Sequence, residues 1–126
     1  MKEQKEKQHA GVWMDHRTAY IITSPAEDGT YTIQGKVKSD EYHGDKGEHA
    51  SNNADRADAR KYHKALAHQL LNFDEILIFG PGTSQEEFRN FLHEDNHFKD
   101  KKITLDSAEH VTDNQMVAKV LNFFKE

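Results

Sequence analysis

Ile76-Leu77-Ile78-Phe79-Gly80-Pro81-Gly82-Thr83-Ser84 is a short apolar run that stops at Gly-Pro-Gly and opens onto a polar, helix-forming segment. Four consecutive apolar residues closed by turn formers fit a strand buried on both faces, as strands of parallel sheets are. The end of such a strand, followed directly by a helix start, is where α/β domains place ligands, because the first helical N–H groups lack partners and point outward. Gly80, Pro81, Gly82, Thr83 and Ser84 therefore form a candidate anion or ribose-phosphate site of backbone amides and two hydroxyls. The same residues also serve as punctuation, with glycine making the turn and Thr83 capping the helix. The stretch has neither the Gly-Lys-Ser/Thr ending of a Walker loop nor a Gly-x-Gly-x-x-Gly pattern.

Downstream, Thr83-Ser84-Gln85-Glu86 has capping-box spacing and starts a helix with Phe88, Phe91 and Leu92 on one face. Residues 102–105, Lys-Ile-Thr-Leu, read as a short strand. A second capping-box spacing at Thr112-Asp113-Asn114-Gln115 opens a last helix expected to bury Met116, Val117, Val120, Leu121 and Phe124. Upstream, Tyr62, Leu66 and Leu70, with Ala59 and His63 beside them, give residues 54–71 helical character. Residues 11–14, 18–23 and 31–37 read as three strands, the first two joined by a polar hairpin turn. The order β-β-β-α-β-α-β-α predicts an α/β fold, a three-layer α/β/α sandwich on a mixed sheet, antiparallel in its first half and with crossover helices in its second. Residues 1–8 read as a flexible charged tail and 9–126 as a single domain, with a polar, His-containing loop at about 39–53.

Composition narrows the function. A chain of 126 residues is one ordinary domain. Its net charge of −5 disfavours duplex DNA as a partner. With no cysteine there is no disulfide framework and no thiolate metal site. The charged N-terminus has no apolar core of a secretory signal, and no stretch approaches the ~18 apolar residues of a membrane span. The expectation is a cytoplasmic protein.

Two other places carry chemistry-bearing residues. Asp15, His16 and Arg17 lie between the first two strands, where an acid, an imidazole and a guanidinium serve acid/base work or grip a phosphate. They equally suit an exposed charged turn. An Asp after an apolar strand also fits a metal-dependent phosphodiester hydrolase, a chemistry that needs further carboxylates around the metals. Of the nine histidines, His43 and His49 flank acidic residues in the loop and offer weak metal affinity, without a zinc-finger spacing. His63 and His68 are roughly 140° apart on their helix and diverge. There is no Gly-x-Ser-x-Gly and no serine plainly paired with a base.

Val12-Trp13-Met14-Asp15-His16-Arg17-Thr18-Ala19 resembles the opening of small bacterial proteins usually labelled translational machinery proteins, which begin on a Val-Trp-Ile-Asp-His strand. Residues 75–83 resemble that family's strand and Gly-Pro-Gly turn. His110-Val111-Thr112-Asp113-Asn114-Gln115-Met116-Val117-Ala118 resembles its closing Thr-Asp-x-Gln helix start, and the His-bearing loop is similar to its His-rich loop. The match runs over roughly residues 10 to 125. This family is similar to the C-terminal domain of archaeal and eukaryotic peptide-chain release factor one and of the ribosome-rescue protein Pelota. The resemblance implies an α/β/α sandwich that recruits protein partners in termination and rescue. The chain lacks the Gly-Gly-Gln of peptidyl hydrolysis, and Gln85 stands where the family commonly has lysine.

The reading that results is a binding protein without cofactor or catalytic residues, an accessory factor contacting ribosome, RNA or a translation factor. Its expected site is a crevice between residues 80–84 and the helix start at Thr112, Asp113 and Gln115, where two helix N-termini add their partial positive charges. Asp15, His16 and Arg17 form a possible secondary site. The alternatives are a hydrolase using Asp15 and a homo-oligomeric interaction module.

Overall fold

The computed structural model describes residues 8–24, 30–39, 48–109 and 111–124, with side chains of the first helix from residue 59 onward. Its elements are β1 (His9–Met14), β2 (Thr18–Thr23), β3 (Thr32–Lys38), α1 (Glu48–Gln69), β4 (Glu75–Gly80), α2 (Ser84–His93), a 3-10 turn (Asn96–Phe98), β5 (Lys102–Ser107) and α3 (Asp113–Phe124). The order is the expected one, with the 3-10 turn added. Helix α1 begins at Glu48 rather than near residue 54. Its first turns are polar, so no apolar periodicity marks them, yet nothing in Glu-His-Ala-Ser-Asn-Asn forbids a helix.

The five strands run β3-β2-β1-β4-β5. The β1–β2 and β2–β3 pairs are antiparallel, and the β1–β4 and β4–β5 pairs are parallel. The β2–β3 register shifts between Ile21 and Ile22, which leaves β3 irregular beside Gly35. Period-two alternation divides the core. One face of the sheet, through Ala10, Val12, Met14, Ile76 and Ile78, packs on Tyr62, Leu66, Leu70, Phe88 and Leu92 of the α1 and α2 side. The other, through Trp13, Ile22, Leu77 and Phe79, packs on Met116 and Val120 of α3. These are the three layers.

Gly11 sets how closely α3 approaches. A Cβ there would lie 2.2 Å from Val120 Cγ2, so glycine lets the helix sit directly on the middle strand. Two expected core positions are corrected. Leu121 is 37 % exposed, because it lies a residue past the Met116–Val120 line that meets the sheet. Ala59 is exposed, its side of α1 falling outside the stripe of Tyr62, Leu66 and Leu70. His63 is buried and His68 exposed, as their angular separation requires. Among the described residues no helix is long and apolar enough to cross a membrane.

Candidate functional site

Because β1, β4 and β5 run parallel, their C-terminal ends share one end of the sheet. The 15–17 turn, the 80–84 turn and the start of α3 all open there. So does the end of β3, since Thr18 pairs with Lys38 and the Ser39 amide donates to the Arg17 carbonyl at 2.8 Å. Helix α2 leaves β4 on one face and α3 leaves β5 on the other, so adjacent strands send their connections to opposite sides. That reversal is the place where open α/β sheets form a ligand crevice. The expected pairing of two helix starts is therefore present at one end, but the helices flank the sheet from opposite faces.

Within this end, most polar groups hold the loops to one another. The Asp15 carboxylate Oδ1 accepts from the amides of Arg17 and Thr18, both at 2.8 Å, and the Asp15 amide donates to the Thr18 carbonyl at 3.0 Å. These bonds make Asp15 the organiser of its own hairpin turn. The Asp15 carbonyl accepts from the Tyr62 hydroxyl and the Ser84 hydroxyl, each at 2.9 Å. One backbone oxygen thus ties β1, α1 and the start of α2 together. Burial first, and then the negative charge of Asp15, push the Tyr62 hydroxyl far above its ordinary range, so it stays a donor.

The Gly-Pro-Gly turn has two glycines with different duties. At Gly80 a Cβ would stand 2.1 Å from the Met14 carbonyl oxygen, so the turn passes β1 in direct contact. Gly82 has φ +73°, a left-handed conformation that favours glycine, and among the described residues nothing lies within 4 Å of an added Cβ. The Gly80 carbonyl accepts from Gln85 Nε2 and from the Ala108 amide, both at 3.0 Å. Gln85 is 4 % exposed and holds the turn to the start of α2, while the Ala108 amide ties the same carbonyl to the chain leaving β5. Its Oε1 is buried with no hydrogen-bond partner among the described residues.

The two expected capping boxes part company. At α3 the box is complete: the Thr112 amide donates to Gln115 Oε1 at 2.9 Å, and the Gln115 amide to Thr112 Oγ1 at 3.1 Å. At α2 Thr83 is the N-cap but its side chain makes no capping bond. The neighbouring Ser84 hydroxyl is drawn instead to Asp15, a contact across 69 residues that no local pattern announces. The first turns carry Glu86 and Glu87 in α2 and Asp113 in α3, which already answer the helix dipoles.

His16 and Arg17 are exposed on the turn, and Thr83 and Gly82 on theirs. His63, 8 % exposed, clusters with the rings of Phe88 at 5.4 Å and Phe91 at 5.6 Å. Its pKa is lowered to about 4, first by burial and then by the charge of His16. His43 and the side chain of His49 lie outside the described residues. Among the described residues no group of three or more His, Asp or Glu is placed to hold a metal ion. Sequence reasoning did not bring Tyr62 to this end, and it marked Gln85 only as standing where a lysine is common, not as a holder of the turn. Tyr62 carries a faint signal, since an aromatic in an apolar helical stripe with a hydroxyl at its tip needs a partner when buried.

No protein-family model matches the chain, and no curated protein matches it. Solved structures do. Thermoplasma acidophilum Pelota is similar with a TM-score of 0.64 and 19 % identity, over 92 % of this chain and 32 % of that one. Saccharomyces cerevisiae Dom34, a translation termination-like factor involved in RNA quality control pathways and interacting with Hbs1, gives 0.58 and 14 % over 90 % and 32 %. The archaeal translation termination factor aRF1 gives 0.59 and 10 % over 90 % and 33 %. The chain spans about a third of the length of these proteins. At such identities the likeness is one of fold: an α/β/α sandwich similar to a domain of the release-factor and Pelota proteins.

Proposed function

We propose that this domain is a non-catalytic docking module of the translation apparatus, which meets a protein or ribonucleoprotein partner with the loop end of its sheet. The observation that carries this reading is the commitment of the end's polar groups to fixing loop shape. Asp15, Tyr62, Ser84 and Gln85 all bond to neighbouring backbone, so what the end presents outward is a rigid surface. That is what recognition requires, since preorganised loops lose little entropy on binding. Fold similarity to Pelota, Dom34 and aRF1 supports translation as the setting. The acidic first turns of α2 and α3 favour a shaped contact over a bare phosphate, which those carboxylates repel. A hydrolase built on Asp15 finds less support, because its Oδ1 is held by two amides and, among the described residues, no further His, Asp or Glu gather with it to hold a metal.

The test is co-sedimentation with ribosomes through a sucrose cushion. The protein is expected to pellet with ribosomes, and Arg17→Glu combined with Gly82→Val is expected to reduce the pelleted fraction ~10-fold while thermal melting stays cooperative. A chain that remains in the supernatant at low salt overturns the proposal.

A further inference from the structure

Strand β5 ends the sheet, and among the described residues nothing pairs with its outer side. An open edge is a template for another strand unless it is blunted. The opposite edge is blunted: β3 carries the register shift, Gly35 at its centre, and Lys36 and Lys38. β5 has no register shift and no glycine, though it carries Lys102 at its start. Its sequence, Lys102-Ile103-Thr104-Leu105-Asp106, reverses in charge about Thr104 and keeps an apolar residue on each side of it.

The hydrogen-bond phase of this edge is fixed by its inner side. The Lys102 amide donates to the Asp74 carbonyl and the Ala108 amide to the Gly80 carbonyl, both at 3.0 Å and both toward β4. Residues 102, 104 and 106 therefore turn their backbone groups inward, and Ile103 and Leu105 turn theirs outward. An antiparallel copy centred on Thr104 sets Ile103 against Leu105, and it does so with both sets of N–H and C=O groups facing each other. Shifting the copy by two residues in one direction puts Asp100 opposite Asp106, and in the other leaves Lys102 opposite Ala108. Only the Thr104-centred register matches Lys102 with Asp106.

We propose that β5 is a self-complementary edge at which two copies of this chain join antiparallel about Thr104, forming one continuous sheet. Ile103 and Leu105, partly buried on the α1 and α2 side, then cover each other's remaining apolar surface. On the α3 side, Lys102 of each copy meets Asp106 of the other. Asp106 is half exposed and already held by Lys119 at 2.8 Å and by the Ser107 amide at 2.8 Å, so its carboxylate is presented in a fixed place. The interface lies along the side of the sheet and leaves both loop ends open, so it does not depend on the docking function above.

The chain has no cysteine, which makes single-cysteine cross-linking unambiguous. In the proposed register Thr104 faces its own copy as a non-hydrogen-bonded pair, with Cα atoms about 4.5 Å apart, within the span of a disulfide. Thr104→Cys is expected to form a covalent dimer under mild oxidation at least ~10-fold faster than Lys102→Cys, whose copies lie several residues apart. By sedimentation velocity the unaltered chain is expected to dimerise with rising concentration. Lys102→Glu alone and Asp106→Lys alone should each remain monomeric, and an equimolar mixture of the two should recover the dimer. A chain that remains monomeric at ~100 μM overturns the proposal. So does a dimer in which the two cysteine variants cross-link at equal rates, because the copies then meet through another face.

Discussion

A Cβ on Gly80 meets the Met14 carbonyl oxygen at 2.1 Å, while one on Gly82, two positions on, meets none of the described residues within 4 Å. The first glycine is a packing requirement between two backbones, and the second answers only to its left-handed φ of +73°. Gly80→Ala is therefore expected to cost on the order of 3 kcal/mol, because backbone must shift. Gly82→Ala should cost about 1 kcal/mol, the strain of a side chain in that conformation. Urea denaturation of both variants checks the difference; equal losses would count against the close approach. His63 carries a second expectation. Its pKa falls from 6.5 to about 4 on folding, so below pH 6.5 the unfolded chain binds a proton that the folded chain refuses. Stability from this group is complete above pH 6.5 and declines as the pH drops toward 4, by a total of about 3 kcal/mol. Replacing His63 with Phe should flatten that part of the stability-pH curve, read by thermal melting between pH 4 and 7.

At the scale of elements, two helices with the same Thr-x-x-Gln/Glu spacing start in different ways. In α3 the motif closes on itself, and Thr112→Ala is expected to lose ~1 kcal/mol. In α2 the Thr83 side chain makes no capping bond, so Thr83→Ala should change stability by only a few tenths of that, a contrast that paired chemical denaturation curves resolve. The contrast also marks what sequence can tell. Periodic segments such as 62–70 and the apolar run at 76–79 were legible because the signal is local and repeats along the chain. The Ser84 hydroxyl's attachment to Asp15 was not, because its partner is 69 residues away. Gly11 escaped notice for the same reason: nothing around it in the chain announces that Val120 will lie against it.

For the whole molecule, the layers and the mixed sheet could be read from element order, since crossover helices force parallel neighbours. Which end the Asp15 turn occupies could not, because that depends on β1 lying beside β4 rather than at an edge. The same fact brings the 15–17 turn, the 80–84 turn and the start of α3 to one end of the sheet. Helix α1 reaches back to Glu48 because a polar stretch can be helical without apolar periodicity, and Leu121 is exposed because the face of α3 that meets the sheet is narrower than its apolar residues.

The central position of β1 has a further effect, on how the chain comes to be folded. The strand synthesised first ends in the middle, with only its β2 side closed by a local turn. Its other side waits for β4, and its two faces, Val12 and Met14 on one and Trp13 on the other, wait for α1, α2 and α3. Long-range closure must therefore be made before most burial is gained, which slows folding. During synthesis the first three strands stand as an incomplete sheet with an apolar edge that nothing yet covers. The nascent chain stays vulnerable to wrong pairing at this edge until residues 75–80 have emerged, after which β5 and α3 complete the sheet and cover its second face.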